Sequence, residues 1–169
     1  MFSSCSFVPF VDTSGELIFL RIVRIVCKRN SMAPQHSKFE TELQVRPDDI
    51  DMNNHVHNTR YLDYVLAARY DQMERCYKMK MEEFITLGYT WVVNTTHVEH
   101  KRPLGLGERI IVRTWIEEVL KDGVKVRFEI LKKENKKLSC EGYVHYTMVN
   151  QKTGRAEVIP EWIVAKYSV

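Results

Sequence analysis

The hydrophobic period of the chain changes at Gly88, and this change limits the folds that the chain can adopt. Between residues 58 and 76 apolar side chains recur three and four positions apart, with no Gly or Pro among them. This spacing predicts one long helix with a single apolar face. After Gly88 the period is two, which predicts strands at 91–101, 109–119, 124–132 and 139–149.

The remaining segments extend this order of elements. Residues 39–45 alternate apolar and polar side chains and predict a half-buried strand, followed by a polar loop at 46–57 and by Asn58 as a helix cap. Further predictions are a short helix that ends at Gly88, a tight hairpin at 121–124, a short strand at 156–159 and a final helical turn at 161–167.

The order of strand, long helix and several antiparallel strands predicts an α+β fold. One helix cannot cover both faces of such a sheet, so we expect the sheet to wrap around the helix. This arrangement leaves strand edges or a sheet face for a partner to cover.

Length and composition exclude several classes of protein. The chain has 169 residues, of which 44% are hydrophobic and 28% are charged, as in about one globular domain. Its net charge of +3 is too small to indicate nucleic-acid binding, and no apolar stretch is long enough for a transmembrane helix. The four cysteines fit neither a zinc knuckle nor a redox pair, so we expect reduced thiols and a cytoplasmic location.

Residues 1–37 differ in composition from the domain that we predict at 38–169. The segment 17–28 is apolar with basic residues three and four apart, which as a helix would be basic and amphipathic. Three interpretations stay open: an organelle-targeting peptide within residues 1–31, an additional element that packs on the domain, or an extension upstream of a natural start at Met32.

The densest polar sequence lies immediately before the long helix. Residues 46–58 contain three Asp, three Asn and two His. A helix N-terminus presents unpaired N–H groups and a partial positive charge, which can stabilise a carbonyl oxygen that becomes negative. A carboxylate just upstream can activate water or attack directly, so the pattern favours acyl transfer or hydrolysis. The structural alternative is that Asp and Asn serve only as turn and cap residues.

Two motifs carry most of the polar residues near the predicted helix and the strand after it, DIDMNNHVHNTRYLDY at 49–64 and VEHKRPLGLGE at 98–108. They resemble motifs of the hot-dog thioesterases, in particular of the 4-hydroxybenzoyl-CoA thioesterase-like group and of the acyl-ACP thioesterases of plants and bacteria. The resemblance extends over about residues 38–160. It implies a single hot-dog domain and a thioester hydrolase that acts on acyl-CoA or on acyl carrier protein thioesters without a cofactor.

The resemblance also implies roles for individual residues. Asp51 matches the catalytic aspartate of the family, as general base for water or as a nucleophile that forms a mixed anhydride. Asn53 and His55 match polar residues that assist it, and Glu99 matches a downstream acidic residue. The backbone N–H of Asn58 lies where the family polarises the thioester carbonyl. Some acyl-CoA members carry a histidine at this position, so Asn58 favours the acyl-ACP-like arrangement.

Two further hypotheses differ in class. One is a non-catalytic acyl-binding hot-dog domain, since a fold does not imply a function. The other is a metal site, which we consider weaker because His100 is expected on the opposite strand face from its neighbours; its candidate ligands are His55, His57, His97, Glu99 and His100. By resemblance we also expect a homodimer or homotetramer, because the family completes its sites across a two-fold interface.

Overall fold

The computed structural model describes residues 36–168, which fold as one long helix and a five-stranded antiparallel sheet. The strands are β1 (Phe39–Gln44), β2 (Tyr89–His100), β3 (Arg109–Val119), β4 (Gly123–Lys132) and β5 (Leu138–Asn150). The helices are α1 (Tyr61–Arg75), α2 (Met81–Thr86) and α3 (Glu161–Tyr167), with 3-10 turns at Pro47–Asp49 and Asn58–Arg60. The predicted α+β architecture is confirmed.

The sheet has the order β1-β3-β4-β5-β2, so β1 and β2 form its edges. Consecutive hairpins join β3, β4 and β5, whereas β2 pairs with β5 from Tyr89↔Asn150 to His100↔Cys140. A bulge interrupts this pairing between Val93 and Thr95. The twelve-residue strand β2 therefore lies at an edge along its whole length.

The core lies between α1 and the sheet and consists of two apolar clusters. The cluster at the start of α1 contains Tyr61, Tyr64 and Val65, which pack against residues of β3 and β4 such as Val112 and Phe128. The second cluster joins the end of α1 to α2 and α3. Since the first cluster fixes the start of α1 against the sheet, it also fixes the polar loop that precedes the helix.

The absence of a side chain at Gly142 in β5 allows β2 and the core to approach this strand closely. A Cβ atom at this position would overlap the carbonyl oxygen of His97 and would lie 2.7 Å from Phe128 Cζ. At the end of α2, Gly88 adopts φ +83°, as the prediction of a glycine stop requires.

The structure corrects three local predictions. Asn58 is not the cap: His57 precedes the 3-10 turn, and its Nδ1 accepts a hydrogen bond from the Thr59 N–H at 3.4 Å. The segment 156–159 is not a strand and contributes only an isolated bridge from Ala156 to Val149. Leu66, expected on the buried face of the long helix, is 49% exposed.

Of the N-terminal extension predicted at residues 1–37, residues 1–35 lie outside the described part of the chain. Within residues 36–168, none of the helices is both long enough and apolar enough to cross a membrane.

Candidate active site

A buried carboxylate, Asp49, fixes the polar loop to the start of α1. Its side chain accepts hydrogen bonds from Arg46 Nε at 2.9 Å and from the Tyr64 hydroxyl at 2.6 Å. Its carbonyl oxygen accepts a bond from the His57 N–H at 2.8 Å. The hydrogen bond from Arg46 is the largest cause that lowers the pKa of Asp49. Asp49 is thus a structural anchor of the loop.

Asp51 is held by the main chain of the same loop. Its Oδ1 accepts the Asn53 N–H at 2.8 Å and, at a longer distance of 3.5 Å, the His55 N–H. The Asp51 N–H donates to the carbonyl oxygen of His55 at 2.8 Å, and Asn54 turns the loop with φ +59°. The hydrogen bond from the Asn53 amide lowers the pKa of Asp51, so its carboxylate is ionised at neutral pH.

Asp51 opens into a cavity of about 320 Å³ between the loop, the start of the helix and the end of β2. Three of the predicted site residues, Asp51, His55 and Asn58, lie together in this cavity. The lining residues are Asp51, His55, Val56, Asn58, Tyr61, His100, Lys101, Arg102 and Pro103. Asn53 does not line the cavity and contributes its backbone amide to Asp51.

Asn58 occupies the first position of the 3-10 turn that continues directly into α1. A backbone N–H at this position has no acceptor within its own helix. Asn58, at the start of this helical run, lines the same cavity as Asp51, so the partial positive charge of the helix start lies at the cavity wall.

Glu99 lies on the other face of β2 and does not line the cavity. Its carboxylate contacts His97 Nε2 at 3.0 Å and accepts a hydrogen bond from Lys101 Nζ. The bond from Lys101 is the largest cause that lowers the pKa of Glu99 to about 2. The structure therefore links Glu99 to the cavity only through Lys101, which is one of the lining residues.

His100 lines the cavity, which the sequence motifs did not indicate. Its ring lies 4.6 Å from the ring of Tyr61, in an edge-to-face arrangement. Val98, two residues earlier, packs against the core. Since side chains alternate along a strand, an apolar Val98 was the signal that His100 shares the helix face of β2.

Residues 36–168 contain no group of three or more His, Cys, Asp or Glu side chains that could hold a metal ion. His97 and Glu99 lie together on the sheet face away from the cavity, whereas His55 and His100 line it. The histidines of the metal hypothesis thus do not converge.

Residues 45–167 match the family model of the thioesterase-like superfamily, and the chain belongs to this family. The chain is 22% identical, over 118 residues, to the long-chain acyl-CoA thioesterase FadM of Escherichia coli; this covers 69% of the chain and 87% of that protein. The predictions of a hot-dog thioesterase and of a thioester hydrolase are confirmed at the level of the family.

Solved structures show the same fold. A DHNA-CoA thioesterase from Staphylococcus aureus superposes with a TM-score of 0.72 at 20% identity, over 78% of this chain and 89% of that one. The 1,4-dihydroxy-2-naphthoyl-CoA thioesterase Slr0204 from Synechocystis gives a TM-score of 0.69 at 19% identity, over 77% and 96% of the two chains. The predicted hot-dog fold is confirmed.

Proposed function

We propose that the protein hydrolyses acyl-CoA thioesters in the cavity beside Asp51. One observation carries this proposal: an ionised carboxylate and an uncommitted N–H at the start of a helix share one cavity. The proposal agrees with the activities named for two similar proteins, a long-chain acyl-CoA thioesterase and a DHNA-CoA thioesterase. A non-catalytic acyl-binding domain would have no need of this pair, so we do not favour that alternative.

In the proposed reaction the thioester carbonyl oxygen accepts a hydrogen bond from the Asn58 N–H. The partial charge at the helix start stabilises the negative charge that develops on this oxygen. Asp51 then acts by one of two routes. It takes a proton from a water that attacks the carbonyl, or it attacks the carbonyl itself to give a mixed anhydride that water hydrolyses. Both routes release the thiolate and the free acid, and both require an ionised Asp51.

The other predicted residues support this centre in different ways. Asn53 and His55 hold the Asp51 carboxylate through their backbone amides, and the His55 side chain lies in the cavity where it can position water. We propose that Glu99 acts on Lys101, which it contacts directly, and does not touch the substrate.

The rim of the cavity favours an anionic substrate carrier. His100, Lys101 and Arg102 follow one another at the end of β2, and all three line the cavity. Basic side chains bind phosphate oxygens by charge-assisted hydrogen bonds. We propose that these residues contact the phosphates of CoA. The phosphopantetheine arm of acyl carrier protein also carries a phosphate, so the same contact is open to that carrier.

We further propose that the protein works as a homodimer through the β2 edge. An unpaired strand edge presents a row of N–H and C=O groups that another strand can bind. Eight of the twelve residues of β2 are exposed, namely those from Val92 to His97 together with Glu99 and His100. Because β2 ends at the cavity, a second copy paired with this strand would lie beside the substrate.

A thiol-release assay with acyl-CoA and acyl carrier protein substrates of varied chain length tests the function. We expect turnover of at least one acyl-CoA series, with a rate for Asp51→Asn that is about 10²–10⁴-fold lower. Turnover of the carrier-protein substrates alone would overturn the assignment of CoA as carrier. Absence of turnover on the whole panel would overturn the assignment of a thioesterase.

A further inference from the structure

Arg69, in the middle of α1, is a buried cation whose partners are all neutral. It is 7% exposed. Its guanidinium donates to Thr114 Oγ1 at 3.4 Å and to Met73 Sδ at 3.3 Å, and it lies 5.3 Å from the ring centre of Tyr77. Among residues 36–168, no carboxylate lies within ion-pair distance of it. By contrast Arg75, on the same helix, pairs with Asp71 at 2.9 Å.

This arrangement leaves most of the hydrogen-bonding capacity of Arg69 unused. A guanidinium carries five N–H donors in one plane and is always charged in proteins. Removing such a charge from water is unfavourable unless an anion or several good acceptors replace the water. A hydroxyl at 3.4 Å and a thioether sulfur are weak acceptors, so among the described residues the guanidinium has no negatively charged partner.

Arg69 lies in the wall of a narrow cleft between α1 and the sheet. The cleft has room for about 30 Å³ of small atoms, which suits a group of two or three atoms. Its other walls are apolar or aromatic and include Val126, Tyr146 and Tyr167. Leu66, which is 49% exposed, lies at the rim. The cleft shares no lining residue with the cavity beside Asp51.

Two buried donors near Arg69 also lack partners. The indole N–H of Trp91, which lines the cleft, makes no hydrogen bond within the described residues, and the hydroxyl of Tyr77, whose ring faces the guanidinium, donates to none of them. Buried polar atoms are normally hydrogen-bonded. Within residues 36–168 a cation without an ion pair thus lies beside two donors that have no acceptor.

We propose that this cleft binds the carboxylate of an aliphatic carboxylic acid. The two oxygens accept hydrogen bonds from the guanidinium of Arg69, and the chain extends along the apolar rim at Leu66. The planar fork of a guanidinium matches a carboxylate, whereas the apolar walls match an alkyl chain. The carboxylate has two sources: a free fatty acid, or the distal carboxylate of a dicarboxylic acyl thioester. The second source rests on the proposed function.

Direct binding of octanoate and of octan-1-ol to the full chain tests the proposal. The two probes differ only in the head group, and calorimetry or the fluorescence of the three tryptophans, of which Trp91 lines the cleft, reports their binding without turnover. We expect octanoate to bind at least about tenfold more tightly than the alcohol, the factor of one charge-assisted hydrogen bond. In Arg69→Met this preference is lost, while Arg75→Met, whose arginine is exposed and ion-paired, keeps it.

Thermal unfolding separates a ligand role from a structural role. If the cation is uncompensated, Arg69→Met has a Tm equal to or above that of the wild type without ligand. Octanoate then raises the Tm of the wild type and of Arg75→Met, but not that of Arg69→Met. Should Arg69→Met fail to fold, Arg69→Lys keeps the charge and is expected to retain a weaker preference for octanoate. Equal binding of both probes, or an octanoate preference that survives in Arg69→Met, overturns the proposal.

A kinetic comparison distinguishes the two sources. A higher kcat/KM for the CoA monothioester of octanedioic acid than for octanoyl-CoA, lost in Arg69→Met, assigns the distal carboxylate of a substrate. Octanoate binding without this kinetic preference assigns a free acid. If octanoate does not bind and the kinetic preference is also absent, the proposed site is wrong. Because octanoate binding is measured without catalysis, this result does not depend on whether the protein proves to be a thioesterase.

Discussion

Two carboxylates in one loop have opposite surroundings. Asp49 is buried beneath Arg46 and Tyr64, whereas Asp51 opens into the cavity and is held by backbone amides. The motif in the sequence indicated Asp51 as the chemical group. It did not indicate that Asp49 is an anchor, because that role depends on Tyr64, which lies a full turn inside α1. Residue identity and local spacing do not predict such a contact.

Asp51→Asn is expected to lower kcat about 10²–10⁴-fold, since an amide neither accepts a proton nor attacks as a carboxylate. Steady-state thiol release on a substrate that the wild type hydrolyses measures the effect. Asp48→Asn is the matched control, because Asp48 is in the same loop and its side chain is 76% exposed. A near wild-type rate for Asp51→Asn with an unchanged Tm would show that another group does the chemistry.

Asp49→Asn is expected to lower the free energy of unfolding by about 1–3 kcal/mol, because it removes charge-assisted hydrogen bonds to a buried carboxylate. The pKa of Asp49 is lower in the folded state, so its contribution is present above the unfolded value of about 4 and is lost as the pH falls through the folded pKa. Urea unfolding should therefore show a larger difference from the wild type at pH 7 than below about pH 4.

Asp63→Asn provides the comparison for Asp49→Asn. Asp63 pairs with Arg60 at 3.1 Å, but both side chains are about half exposed. A surface pair of this kind contributes little, so the variant should stay within about 1 kcal/mol of the wild type at both pH values. Equal losses for the two variants would argue against Asp49 as the anchor.

At the scale of elements, β2 shows what the alternation of side chains along a strand predicts and what it does not. Period-two alternation predicted the strand and placed His97 and Glu99 on one face and His100 on the other, which the structure confirms. Alternation alone does not say which face meets the cavity. The packing of Val98 on the core decides it, and consequently the downstream motif brings His100 to the cavity and leaves Glu99 outside.

Gly142→Ala is expected to destabilise the β2–β5 pairing, because the added methyl group would overlap the carbonyl oxygen of His97 and crowd Phe128. Overpacking of this kind costs about 1–3 kcal/mol. Chemical denaturation measures the loss. In Gly105→Ala the new Cβ would be 3.7 Å from the Glu108 side chain, so this control should change stability by less than about 0.5 kcal/mol. Comparable losses in both variants would contradict the close approach at Gly142.

For the molecule as a whole, the sequence predicted the element order and placed the four long strands within two residues of their observed ends. The reason is that successive side chains of a strand point to opposite faces, which sets a strict period of two. Leu66 shows where this fails. Its exposure depends on what the sheet and α2 place opposite the helix, and spacing along one helix does not contain that information.

A chain that starts at Met32 is expected to fold and to keep full activity. The described members of the two core clusters and of the cavity lie between Phe39 and Tyr167, and the shortened chain retains all of them. Circular dichroism, Tm and the thiol-release rate of the shortened and full-length proteins measure the outcome. Loss of turnover or of folding on truncation would show that the N-terminal segment is a structural part of the domain.

The proposed dimer predicts a species of about 40 kDa by light scattering, which is twice the 20.0 kDa of one chain. For two copies of β2 paired about the middle of the strand, Thr95→Asp would place two carboxylates near each other and favour the monomer. Val158→Asp is a control at a residue that is 54% exposed and lies outside the sheet. A 20.0 kDa wild-type species at all concentrations would contradict the dimer.

The support of Asp51 by main-chain amides has a consequence for how this site can diverge. Any non-proline residue at 53 or 55 supplies the same N–H, so the carboxylate keeps its position while the neighbouring side chains change. Residue 53, whose side chain does not line the cavity, can therefore vary without loss of the reactive carboxylate, whereas a change at 55 also replaces a residue of the cavity wall. A library randomised at 53 should yield many active variants and one at 55 should yield variants of altered rate, and proline should be the substitution most strongly depleted at both positions.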